Sequence, residues 1–190
     1  MTTTTTIPPV SQSRDLLLRC GKALSLAIQG ICALLGGLAV LLLAFVALTS
    51  LGALDAVFGP DDLPIVATYP GPGIGLLVSL ALIMAALFLF FGRMRALIGS
   101  VGAGDPFVPQ NARRLNTMAW LLLAVQVLAI PVAFLREHMA ALALGVEPSA
   151  APFAFGRQDL VGIMLVIVLF ILARVFRHGA AMRDDLEGTV

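Results

Sequence analysis

The sequence predicts an all-α integral membrane protein: four transmembrane helices joined by short loops, with both termini cytoplasmic. Three observations predict it. Of 190 residues, 59% are hydrophobic and only 12% are charged, and the mean hydropathy is +1.01. A soluble fold of this length could not cover so much apolar surface, so the chain needs lipid as its solvent. Four apolar runs of bilayer-crossing length follow one another, and Lys and Arg gather on one side of them.

Residues 1–22 begin with a threonine run, a low-complexity segment expected to be disordered and cytoplasmic. The first span covers about 23–51 and has no charge inside it. At 1.5 Å per residue it would measure roughly 40 Å, so it should tilt or project from the bilayer. Its apolar run is about twice the length of a signal-peptide core, and twenty-two residues precede it, so cleavage is not expected. An outer loop, 52–72, holds Asp55, Asp61, Asp62 and four prolines. The second span, 73–91, runs into Arg93 and Arg95, and the third, 118–135, is closed by Arg136. The following loop, 137–159, is expected to hold a short interfacial helix over 139–144, before the turn signals Gly145 and Pro148. The fourth span, 160–175, should continue as a helix past the membrane, because Arg174, Arg177 and His178 share a helical face. The chain thus divides into a transmembrane domain, 23–177, and a cytoplasmic tail, 178–190.

The net charge of +1 hides this orientation. Ten of the twelve basic residues lie in the N-terminal segment, the connection between spans two and three, and the C-terminal end. Only Arg136 and Arg157 lie on the other side. Counted by side, the inner face carries +5 and the outer face −4. The positive-inside rule therefore places both termini in the cytoplasm, with the spans in a plasma membrane.

The chemistry inside the spans is sparse. None carries Asp, Glu, Lys, Arg or His away from its ends, which argues against an ion or proton relay. Gln126, five residues before Pro131, is the candidate intramembrane polar contact. It would serve either as an interhelical hydrogen bond, with Pro131 kinking the helix, or as a substrate contact. Ala33 with Gly37, Gly71 with Gly75, Gly75 with Ser79, and Ala81 with Ala85 repeat small residues at four-residue spacing. Such pairs serve packing within one bundle or homo-oligomer formation equally well. Cys20 and Cys32 are too far apart on one helix to bridge, and His138 and His178 fall on opposite sides of the bilayer. No catalytic set, metal cluster or cofactor motif is found, so the chain is expected not to be an enzyme. A whole-chain charge near zero also argues against direct nucleic-acid binding.

Two cytoplasmic stretches are richer. In GAGDPFVPQNARRLNTMAW, residues 102–120, Asp105 before Pro106 reads as a cap and first-turn proline, and Pro109 could open the extension of the third helix. Asn111 and Arg114 are i, i+3 neighbours there. In ARVFRHGAAMRDDLEGTV, residues 173–190, a basic turn precedes Asp184, Asp185 and Glu187, and ion pairs from this tail to Arg113 or Arg114 are a simple expectation. The inner loop reads either as a re-entry turn whose arginines meet lipid phosphates or as a docking surface for a cytoplasmic partner; the candidate docking residues are Phe107, Asn111, Arg114, Arg177 and Asp184.

Pro106-Phe107, Asn111, Arg114-Leu115 and the closing ILARVFRHGAAMRDDLEGTV also carry a resemblance. The chain resembles a bacterial membrane family known as domain of unknown function 2975, whose members often have another basic residue in place of Asn116. The resemblance brings no established activity. Genes of that family often stand beside one for a small helix-turn-helix regulator, which implies a membrane partner for a cytoplasmic DNA-binding protein. The expected function is therefore that of a sensory or interaction protein, in contact with the bilayer and with such a regulator through its inner loop and tail. The alternative is a small exporter, channel or immunity protein acting on permeability, with Gln126 and Pro131 marking the pathway.

Overall fold

Lipid offers a backbone no hydrogen-bond partner, so each apolar run closes its own ladder and becomes a helix. The computed structural model describes residues 10–54, 57, 59, 63–102, 107–147 and 157–187. They form α1 (Val10–Ser50), α2 (Ile65–Thr68), α3 (Pro70–Gly102), α4 (Pro109–Leu144) and α5 (Arg157–Glu187), with no strand among the described residues. Four segments are long and apolar enough to cross a membrane: Leu18–Ser50, Pro70–Gly102, Pro109–Leu144 and Asp159–Arg183. Only 11–17% of each apolar window is buried within the protein. The remainder faces outward, Leu34 and Leu41 among it, and that surface is stable only against acyl chains. The protein is a multi-pass membrane protein.

The helices outrun the apolar runs that nucleate them. α1 starts at Val10, so residues 10–22 are helical and not part of a disordered segment; residues 1–9, the threonine run, lie outside the described residues. This extension has something to rest on, since Leu18 lies over Gly102 and Ile98 over Gly21. α4 begins at Pro109, as its fixed φ favours at a first helical position, with Val108 at the cap. The proposed cap Asp105-Pro106 lies outside the described residues, as do Asp55, Pro60, Asp61, Asp62 and Pro148 of the outer loops. α4 continues through Pro131 and past Arg136 to Leu144. The separate interfacial helix expected over 139–144 is instead the last part of α4. The physical reason is plain: a charge such as exposed Arg136 is costly in hydrocarbon but breaks no backbone hydrogen bond. Gly145 does end it, adopting φ 64° and donating its N–H to Ala141 and Leu142 carbonyls.

α3 packs on α1, α4 on α3 and α5 on α4, while α1 and α5 share no packed interface among the described residues. The four long helices form an open row in chain order. Because they alternate in direction, the start of α1, the end of α3, the start of α4 and the end of α5 meet at one end, here termed the basic end. α1 turns a single stripe inward, namely Ser25, Gln29, Cys32, Ala39 and Val46, and α5 buries Val166, Ala173 and Ala180 at seven-residue steps. At the opposite end Val46, Ala67 and Leu77 form a small core, with Leu43, Phe45, Val66 and Ile74 packed against it. Gly73 admits the α2 backbone at Val66, where any Cβ would collide.

The repeated small residues divide between two uses. Gly75 lies under Leu135 and Ser79 is buried, so these serve contacts inside the chain. Ala33, Gly37, Ala81 and Ala85 instead line an open groove of about 720 Å³ between α1 and α3, and a Cβ on Gly37 would meet nothing within 4 Å.

Candidate functional site

The basic end assembles from residues that are distant in sequence. Asn111, in the first turn of α4, is wholly buried. Its Oδ1 accepts a hydrogen bond from Arg114 Nη1 at 2.9 Å and lies 2.9 Å from Ser100 Oγ, on α3. The Ser100 hydroxyl has one hydrogen to share between Asn111 Oδ1 and the Leu97 carbonyl at 2.7 Å. Arg114 Nη1 uses its second hydrogen on the Ala96 carbonyl at 3.1 Å. A buried amide left unmatched would cost on the order of 1–3 kcal/mol, so this set clasps the end of α3 to the start of α4.

A second contact joins the α3–α4 connection to α5. The Phe107 ring lies on Gly179, 2.8 Å from where a Cβ would stand, and its centroid is 5.4 Å from that of Phe176. Glycine is needed here because the ring occupies the space of a side chain. Thus the two stretches singled out in the sequence, 102–120 and 173–190, meet in space.

The five candidate docking residues are not equivalent. Asn111 is interior, Arg114 is half-buried in the clasp, and Phe107 bridges to α5 with part of its ring exposed. Arg177 is exposed on α5, as is Arg113 on α4. Asp184 lies within α5 but its side chain is outside the described residues. Among the described residues, Arg113 and Arg114 pair with no tail carboxylate; the ion pair seen is Arg136–Glu137, 3.3 Å and solvent-accessible at the opposite end.

Deeper in the row, two glutamines repeat one device. Gln126 lies across Gly162 of α5, where a Cβ would overlap the amide, and its Nε2 is 3.5 Å from the Asp159 carbonyl. Gln29 lies across Gly92 of α3 and donates to the Phe88 carbonyl at 3.1 Å. Each amide occupies the notch of a glycine and reaches a carbonyl three or four residues before it. Sequence reasoning noticed Gln126 but missed Gly162, Gly92 and Ser100; an isolated glycine in an apolar run was the available signal. His138 stacks on Phe134 at 6.3 Å, and His178 Nδ1 lies 3.0 Å from the Arg174 carbonyl at the basic end. Cys20 and Cys32 are free thiols.

With this geometry in place, comparison with known proteins is specific. The family described as Protein of unknown function (DUF2975) matches residues 27–190. The chain belongs to this family. The matched region includes all of α3, α4 and α5 and most of α1, so the clasp and the Phe107–Gly179 contact both fall within the family region. No curated protein and no solved structure matches the chain.

Proposed function

We propose that the protein is a non-catalytic sensory or interaction protein of the bacterial inner membrane, which holds a cytoplasmic regulator at its basic end. The observation that carries this reading is the meeting of the α3–α4 connection with α5 through Phe107, Phe176 and Gly179. A shift of α5 against α4 would move the surface that bears Arg113 and Arg177, so an event among the spans can alter what the basic end presents. The excess of Lys and Arg at that end supports a cytoplasmic setting with N-in and C-in termini. A small helix-turn-helix regulator is the partner that the family resemblance favours.

The permeability reading draws less support. Gln126, which would have marked a pathway, is occupied at the α4–α5 contact.

The test is co-purification from detergent with charge reversal at Arg113→Glu and Arg177→Glu, two exposed positions outside the clasp. The double variant should remain as thermally stable as the parent and lose a cytoplasmic regulator that the parent retains. Equal capture by both proteins, or no captured regulator, would overturn the proposal.

A further inference from the structure

We propose that the basic end of the α1–α3 groove is a binding site for an anionic phospholipid, with the phosphate in an arginine-lined cavity and an acyl chain in the groove below. The cavity, of about 320 Å³, is bounded by Gln29, Gly92, Arg93, Ala96 and Arg114, with Phe88 and Leu89 at its apolar side. Those same two side chains also line the 720 Å³ groove that runs on between Ala33, Gly37, Ala81 and Ala85. A cationic cavity and an apolar trough therefore adjoin, with Phe88 and Leu89 common to both.

The polar part suits a phosphate. Arg114 is fixed by Ala96 and Asn111 through Nη1 alone, which leaves the Nε and Nη2 donors of a planar, pre-oriented fork. Arg93 stands one helical turn before Ala96, exposed, at the first charge after the apolar run of α3. Among the described residues neither arginine pairs with a carboxylate. Two guanidinium groups at one cavity, Arg93 from α3 and Arg114 from α4, attract an anion, and a first charge after an apolar run suits the level of lipid headgroups.

The apolar part has room for an acyl chain. Gly37 and Ala85 are exposed, and the trough exists because small residues face each other across it. A free phosphate would use the arginines alone; a phospholipid uses both parts. The adjacency of the two, across Phe88 and Leu89, commits the site to the lipid.

The test uses the full chain in nanodiscs of phosphatidylcholine with a minor fraction of phosphatidylglycerol, with retained lipid read by mass spectrometry after extraction in mild detergent. Arg93→Gln should lower phosphatidylglycerol retention about tenfold, as expected for loss of one charge-assisted hydrogen bond to the phosphate. Gly37→Leu should lower it several-fold too, because a side chain at this lining position occupies the trough and its Cβ meets nothing within 4 Å. Arg95→Gln removes the same charge from a residue that does not line the cavity, and should leave retention unchanged. Equal loss in Arg93→Gln and Arg95→Gln would reduce the effect to general surface attraction and overturn the site. Full retention in Gly37→Leu, or displacement of the lipid by millimolar inorganic phosphate, would remove the acyl chain from the site and overturn it equally.

Discussion

At the scale of single residues, the bundle is held by small polar devices. Lipid tails are as apolar as leucine, so burying leucine gives two membrane helices little reason to associate; close backbone approach and interhelical hydrogen bonds must supply it. Gln29 over Gly92 and Gln126 over Gly162 combine the two. The second pair leads to a double-mutant cycle. Gln126→Ala should cost about 0.5–2 kcal/mol of stability in detergent, and Gly162→Ala about 1–3 kcal/mol by overpacking. The double variant should cost less than the sum, because the clash needs both partners. Strict additivity in thermal unfolding would disprove the contact. Half of the basic-end clasp was legible in sequence: Asn111 and Arg114 are helical neighbours by spacing alone. Ser100 was not, since it belongs to another helix and no local pattern pairs it with Asn111.

At the scale of elements, four helices could be read directly from four apolar runs, but their ends could not. Pro109 announced the start of α4 correctly, because its missing N–H and fixed φ suit a first turn. Arg136 misled, because a charge reports the edge of the hydrocarbon while a helix stops only where its backbone finds another arrangement, as at Gly145. The same reasoning explains why α1 reaches back to Val10. The contact between the α3–α4 connection and α5 belongs to this scale as well. Gly179→Leu should displace the Phe107 ring and speed amide exchange at Asn111, whose N–H donates to the Val108 carbonyl, by tenfold or more, about 1.4 kcal/mol of lost local protection, while α4 beyond Met118 stays protected. Unchanged exchange would show that Phe107 does not hold the connection to α5.

At the scale of the whole molecule, the balance of charges predicts an orientation, whereas the order of the helices was invisible. Composition and positive-inside counting depend only on sequence and its distance from the bilayer. Which helix lies beside which depends on non-local notches such as Gly36 against Met84 and Gly75 against Leu135. Reporter fusions address the orientation. A fusion following Glu147 should be active outside the cytoplasm, while fusions following Gly102 and at Val190 should be active inside it. A cytoplasmic signal from the first fusion would reverse the assignment and with it the setting of the basic end.

The open row also bears on biosynthesis. Among the described residues, every major interface joins long helices that follow one another in the chain, with only the short α2 between α1 and α3, so each can form as soon as the next span leaves the ribosome and enters the bilayer. No early helix must wait for a late one. Contact order is correspondingly low, which favours rapid, stepwise folding and few opportunities for mispairing. A nascent chain stalled before α5 would already hold α1, α3 and α4 in their final arrangement, with only the α4 face awaiting its neighbour.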